Sequence, residues 1–145
     1  MYFVDREKIE ATLRYLEGQI KLFRDQADWS TPLEKTALER LGHMMIESVL
    51  DVGNAMIDGF IMRDPGSYED IIDILIDEKV ITAQTGESLK VLIQSRKVLV
   101  QDYIEIDHCQ LQNQISKYLP ELVNFSGNVR HYLTNELGPV SAFKN

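Results

Sequence analysis

The stretch of this sequence most informative about chemistry lies at positions 95–103. Arg96 supplies a cation that could contribute to a local cleft. Tyr103 follows seven residues later, which places both side chains on one face of an ideal helix. The alternative is structural, with a helix packed through Val98 and Leu99 whose arginine reaches solvent along its apolar stem. On the residues alone, the structural interpretation is preferred.

Four polar side chains interrupt the apolar segment 32–57. They are His43, Glu47, Asp51 and Asn54, spaced by four, four and three residues, so a helix would carry them on one face. Such a row could line a cleft, orient a cationic partner or help to bind a metal. Polar groups between packed helices also serve as hydrogen-bonded determinants of packing, and for each residue alone this structural interpretation is preferred.

Neither a metal centre nor a cysteine nucleophile is predicted. A di-metal bundle site needs a Glu-x-x-His pair on each of two helices and further glutamates from the other two. Only Glu105 and His108 match that spacing, and they fall at a predicted break between helices. Cys109 has only the adjacent His108 as a candidate base, so an inert thiol is preferred. The prediction is therefore a site without metal or cofactor.

Two long helices are predicted to begin the chain. The first starts after Asp5, and the motif Thr31-Pro32-Leu33-Glu34 predicts the start of the second with a capping box and a proline at the first helical position. The second should run to about Ile57, antiparallel to the first. Apolar residues at helical spacing predict the core faces: Ile9, Leu13, Leu16, Ile20 and Phe23 in the first helix, and Ala37, Leu41, Met44, Met45, Val49, Val52 and Met56 in the second.

Shorter helices follow a turn at residues 64–67. A third helix is expected over about Tyr68 to Lys79 after the cap residue Ser67, and a fourth from Thr82 to about Tyr103. After a break near residues 104–107, a last helix should run from Asp107 toward Leu137. Pro120 should kink or restart that helix, and Gly138-Pro139 should end it. The prediction is one all-α domain over residues 1–145, an up-and-down bundle of four or five helices.

The composition limits the kinds of partner. The chain has 145 residues, 44% of them hydrophobic, with a net charge of −8, which disfavours a general nucleic-acid coat but allows a few cations gathered in one cleft. No apolar run approaches the roughly 18 residues of a membrane span, and the charged first residues do not resemble a signal peptide. A single cysteine excludes an intramolecular disulfide. We expect a cytoplasmic protein without membrane contact.

The stretch around Arg96 resembles the signature of the HepT-like family within the HEPN superfamily. That signature is an arginine, four residues, a histidine, one residue and a tyrosine, placed late in a helical bundle. The order of predicted elements is also similar: two long helices, a Pro-Gly turn, a short helix, the helix with the motif, and a closing helix after an acidic loop. The resemblance covers most of the chain and implies an HEPN-like fold.

The resemblance also implies roles for single residues. Arg96 would bind the scissile phosphate of RNA, position 101 would hold the general base for the 2′-hydroxyl, and Tyr103 would be adenylylated by a nucleotidyltransferase antitoxin. This chain departs from the signature at Gln101, whose neutral amide cannot accept and release a proton near pH 7 as imidazole does. It also has Lys97 where a small polar residue is usual. Lys97, Glu47, Asp51 and Asn54 are candidates for supporting the cleft.

The geometry of the motif favours a composite site. Residues five apart are about 140° apart around an ideal helix, so Arg96 and Gln101 should diverge unless the helix bends or a second subunit contributes. In the resembling family the motif lies at a twofold dimer interface, which implies a homodimer here.

The expected function is a metal-independent RNA endonuclease, the toxin of a type VII HepT/MntA-like toxin–antitoxin system. The alternatives are an inactive HEPN interaction module, because of Gln101, and a plain nucleotide-binding bundle. The departure at position 101 leaves it open whether the protein is an enzyme.

Overall fold

The computed structural model describes residues 2–138, and every regular element among them is helical. The elements are α1 (Arg6–Asp25), α2 (Pro32–Gly59), α3 (Tyr68–Asp77), α4 (Ala83–Ile93), α5 (Ser95–Val100) and α6 (His108–Leu137), with a 3₁₀ turn at Tyr103–Glu105. The predicted all-helical bundle is therefore confirmed. Two helices, α4 and α5, occupy the residues of the predicted fourth helix. No helix within residues 2–138 is long and apolar enough to cross a membrane.

The first two helices form the predicted pair. The Asp5 side chain caps α1, and Thr31 and Glu34 close the predicted capping box at the start of α2. All five apolar residues predicted for the core face of α1 are buried. The prediction for α2 is wrong at Ala37, which is exposed, whereas the neighbouring Leu38 is fully buried. Leucine has the larger apolar surface to remove from water, which favours this rotation of the helix start.

The predicted fourth helix is interrupted at Gln94. Its first part, α4, packs against α3 and α6, whereas α5 packs against α2. The break redirects the chain from one neighbour to another, which a single straight helix could not do. The prediction of one helix to Tyr103 is therefore wrong, because α5 already ends at Val100 and the irregular segment begins there. The third helix is also slightly shorter than predicted and ends at Asp77, just before Lys79 with a φ of 61°.

The last helix is longer than the proline in it suggests. Helix α6 continues from His108 to Leu137 through Pro120, so the predicted restart is wrong. Pro120 is exposed, and buried residues on either side of it, Ile115 and Leu122, hold both halves of the helix on the same core. Gly138 ends the helix with a φ of 82°, as predicted, and Pro139 lies outside the described residues.

Close helix packing positions the start of α3 beside α2 and α4. A side chain at Gly53 of α2 would collide with Ile71, and one at Gly86 of α4 would collide with Ile76. The buried apolar side chains form one connected core with contributions from α1, α2, α3, α4 and α6. A connected core is what one domain requires, and a single domain over all 145 residues stays a prediction. Short α5 has no fully buried residue and contacts this core through the partly buried Leu99, along the surface of α2.

Candidate active site

Arg96 lies at the start of α5 and is held by side chains from two other helices. Its Nε atom lies 2.5 Å from Oε1 of Glu47 on α2, and its guanidinium carbon lies 4.4 Å from the centre of the Tyr68 ring on α3. The side chain is only 22% exposed. The hydrogen bond that Arg96 donates to Glu47 raises the pKa of Arg96 above its ordinary value, so the group remains a cation. The contacts fix the direction of the guanidinium.

An open groove of about 680 Å³ runs along this side of α5. Its lining comes from the turn before α3, from the break between α4 and α5, and from α5 itself: Ser67, Tyr68, Glu69, Ile93, Gln94, Arg96, Lys97 and Gln101. Arg96 and Gln101 therefore reach one groove within a single chain. The two side chains line this groove although they are five residues apart, and Gln101 directly follows Val100, the last residue of α5.

Glu47 connects the polar row of α2 to this groove. The Oε1 atom that receives the Arg96 hydrogen bond also lies 3.5 Å from Nε2 of His43, one turn earlier on α2. Partial burial and the nearby charge of Glu47 raise the pKa of Asp51, one turn later. Asp51 and Asn54 are both exposed. Of the four residues in this polar row, Glu47 contacts Arg96 and His43 contacts Glu47. Asp51 and Asn54 do not line the groove.

Tyr103 does not share a helix face with Arg96. It lies in the 3₁₀ turn that follows α5, with 61% of its surface exposed, and it does not line the groove. The spacing of seven residues predicted a shared helix face, and this prediction is wrong because the helix ends between Arg96 and Tyr103.

Tyr68 was missed by sequence reasoning. Its ring, half exposed at the first position of α3, lies against the Arg96 guanidinium. The turn before it is fixed by Asp70, which accepts hydrogen bonds from Arg63 at 2.7 and 2.8 Å and from the backbone N–H of Gly66. These bonds lower the pKa of Asp70 to about 2. The sequence signalled the turn and the cap at Ser67, but no local pattern links Tyr68 to a residue 28 positions later.

A second polar cluster lies at the start of α6. Nε2 of His108 lies 2.6 Å from Oε2 of Glu39, beside an open cleft of about 470 Å³ that Trp29, Lys35 and Cys109 help to line. Cys109 is exposed, and its sulfur accepts only a long contact of 3.9 Å from Asn113. Among residues 2–138, no group of three or more His, Cys, Asp or Glu side chains is arranged to hold a metal ion.

Comparisons with known proteins agree on one family. A family model described as Ribonuclease HepT-like matches residues 5–129. The proposed RNase YutE of Bacillus subtilis strain 168 is 56% identical over 144 residues, which cover 99% of this chain and all of YutE. A solved structure of YutE, described as a cytosolic protein, has a TM-score of 0.95 and 55% identity over 99% of this chain and all of that one.

A more distant solved structure has the same fold. It is a tri-AMPylated HEPN toxin of Shewanella oneidensis in complex with an MNT antitoxin. Its TM-score is 0.72 at 19% identity, over 86% of this chain and 95% of that one.

Proposed function

The chain belongs to the HepT-like ribonuclease family, and from this premise we propose that it is a metal-independent RNA endonuclease, the toxin of a type VII HepT/MntA-like toxin–antitoxin pair. The observation that carries the proposal is Arg96, a cation held in a fixed direction at an open groove. A guanidinium of this kind can bind a phosphate diester and stabilise the charge that develops on it during cleavage.

The other groove residues suit an RNA substrate. Lys97 adds a second cation beside Arg96 in a groove whose lining also includes Glu69. The two cations would give a phosphate a local contact on a chain whose net charge is −8. Gln101 can hold a ribose hydroxyl by hydrogen bonding, because its amide both donates and accepts. Glu47 restricts the orientation of the Arg96 side chain. Asp51 and Asn54 would act only indirectly, by stabilising the part of α2 that carries Glu47.

Regulation by a nucleotidyltransferase antitoxin is part of the proposal. The HEPN toxin of Shewanella oneidensis is AMPylated in its complex with an MNT antitoxin. Tyr103 is the residue at the tyrosine position of the family signature, and its exposed ring would be accessible to such an enzyme. We place this chemistry in the cytoplasm, since the 55% identical YutE is described as cytosolic.

A homodimer is also part of the proposal. Apolar side chains lie exposed on α5 and the turn after it, among them Val98, Val100 and Ile104, of which Ile104 is 89% exposed. Burying such side chains against a second copy would stabilise a dimer. A twofold axis here would bring two copies of Arg96 and Lys97 near each other.

The test of the proposed activity is RNA cleavage by the purified protein in the presence of a chelator. We expect cleavage by the native chain and a loss of about a hundredfold or more in Arg96→Ala. Arg14→Ala is the matched control, because it removes an arginine with an ion-paired glutamate from the exposed face of α1. Equal cleavage by native protein and Arg96→Ala would remove Arg96 from the mechanism, and dependence on a metal would contradict metal independence.

One observation favours a second candidate, an inactive HEPN interaction module. Gln101 lines the groove at the position where the family signature has a base. Under this alternative the native chain does not cleave RNA, whereas Gln101→His does. Under the leading proposal the native chain cleaves, and Gln101→His changes only the rate.

A further inference from the structure

We propose that His43 is the general base of this ribonuclease, in place of the histidine that position 101 lacks. The proposal rests on the RNA cleavage proposed above and assigns the proton transfer to a residue outside the family signature. The evidence for it is the set of contacts between α2 and α5. These contacts join residues far apart in the sequence, so no local pattern predicts them.

His43 and Arg96 share a single carboxylate oxygen. Oε1 of Glu47 lies 2.5 Å from Nε of Arg96 and 3.5 Å from Nε2 of His43. The two nitrogens can therefore be no farther apart than the sum of these distances, 6.0 Å. A phosphate bound by the guanidinium would lie close enough for the imidazole to reach the adjacent ribose.

The direction of α5 places His43 beside the substituted position. Arg96 meets α2 at Glu47, and Leu99 meets α2 near Gly42, so α5 runs antiparallel to α2. From Arg96 to Gln101 the chain advances about 7.5 Å, and from Glu47 back to His43 it advances about 6 Å. His43 therefore lies close to the level of Gln101 along α2, although it does not itself line the groove.

The surroundings of His43 suit a general base. Its side chain is 29% exposed, so a substrate can reach it, and the Glu47 carboxylate next to Nε2 can orient the ring. With Nε2 beside the Glu47 carboxylate at 3.5 Å, Nδ1 is the nitrogen that would take the proton, as in other carboxylate–histidine pairs of enzymes. The remaining two histidines are engaged elsewhere, His108 with Glu39 and His131 with Asn135.

The proposed step balances without a cofactor. The 2′-hydroxyl gives its proton to the His43 imidazole as its oxygen forms a bond to the adjacent phosphorus. The bond from phosphorus to the 5′-oxygen breaks, and the leaving oxygen takes a proton from water. The products are a 2′,3′-cyclic phosphate and a 5′-hydroxyl, and the imidazolium then returns its proton to solvent. Arg96 stabilises the charge on the phosphate oxygens during this step.

The test compares the cleavage rates of four variants with that of the native protein on one RNA, with thermal unfolding of each variant as the check on folding. The variants are His43→Asn, His108→Asn, Gln101→His and the double variant of His43→Asn with Gln101→His. We expect His43→Asn to lose about a hundredfold to ten-thousandfold of the rate, as for loss of a general base. His108→Asn is the matched control, another half-buried histidine beside a glutamate, and should keep the native rate.

The double variant separates a chemical role from a structural one. A histidine at position 101 should restore most of the cleavage lost in His43→Asn, and the product should carry a 2′,3′-cyclic phosphate. A folded His43→Asn that cleaves at the native rate would overturn the assignment of His43 while leaving the RNase proposal standing. A native chain that is inactive while Gln101→His cleaves would show that this chain has no working base. Inactivity of both would refute the RNase function itself.

Discussion

The guanidinium of Arg96 is the side chain on which the proposed chemistry depends, and its two contacts have opposite effects on a bound phosphate. The ion pair with Glu47 orients the cation but competes with an anionic substrate. The Tyr68 ring attracts the cation without adding a formal charge, which at a partly exposed site is worth about 0.5–1 kcal/mol. The ring and Glu47 therefore hold Arg96 at the groove together, while the terminal N–H groups of the guanidinium meet a phosphate.

The position of Tyr103 leads to a prediction about modification. When the chain is produced together with a nucleotidyltransferase antitoxin, we expect intact-protein mass spectrometry to show added AMP. The change Tyr103→Phe should abolish the addition, because it removes the acceptor hydroxyl. Tyr15→Phe is the control, since Tyr15 is also exposed but lies on α1. Full AMP addition to Tyr103→Phe would contradict the assignment of this tyrosine.

Individual site residues were predictable only where a local signature contains them. Arg96, Lys97 and Gln101 lie close together in the sequence, and all three line the groove. The contact between Glu47 and Arg96 joins residues 49 positions apart, so it depends on how α2 and α5 pack. Periodicity within one helix carries no information about that packing, which is why Glu47 was predicted only as general support and Tyr68 was not predicted.

At the scale of elements, α6 packs against three other helices, α1, α2 and α4. Its Glu121 accepts hydrogen bonds from Thr85 and Ser88 of α4, and its Arg130 binds both Glu10 and Glu17 of α1. These links lie on either side of the core residue Phe125. They hold the part of α6 that follows Pro120, and the buried Ile115 holds the part before it on the same core, although the proline removes a backbone hydrogen bond from the helix interior.

The exposed proline of α6 gives a prediction for stability. Replacing Pro120 by alanine restores a backbone N–H inside a continuous helix, so the free energy of unfolding should rise by about 1–3 kcal/mol. Urea unfolding followed by circular dichroism measures this. The control is Pro32→Ala, which should change stability by less than about 1 kcal/mol, because a proline at the first position of α2 interrupts no helical hydrogen bond. A loss of stability in Pro120→Ala would show that the proline is structurally required.

The elements were predictable to the extent that their ends carry capping signals. Asp5, Thr31, Ser67 and Thr82 each cap the helix start at which the sequence placed them. The break at Gln94 has no such signal, since Gln94 makes no side-chain cap and the apolar spacing continues across it. The break allows α4 to pack against α3 and α6 while α5 packs against α2. This arrangement depends on tertiary packing, so the local sequence does not show it.

On the scale of the whole molecule, RNA contact and dimer formation depend on where charged and apolar side chains lie, more than on the net charge of the chain. A net charge of −8 opposes contact with RNA, and the cations at the start of α5 offset this only locally. The exposed apolar residues lie on the same short element and the turn after it. A symmetric dimer through this surface would double the local cationic charge.

The dimer can be tested by mass in solution. We expect sedimentation equilibrium to give twice the 16.7 kDa of one chain. Ile104→Asp should shift the protein toward a monomer, because it places a charge in the proposed interface. Phe3→Asp is the control, since Phe3 is also exposed but lies beside the last residue of α2. There its backbone N–H donates a hydrogen bond to the carbonyl of Gly59. A native monomer would contradict the dimer, and dissociation by Phe3→Asp alone would place the interface elsewhere.

The most direct test of the central claim is the rate at which the purified native chain cleaves RNA in chelator, measured beside Arg96→Ala. The account predicts cleavage that persists without metal and falls about a hundredfold or more in the variant. No cleavage by the native chain, or the same rate in both proteins, would contradict it.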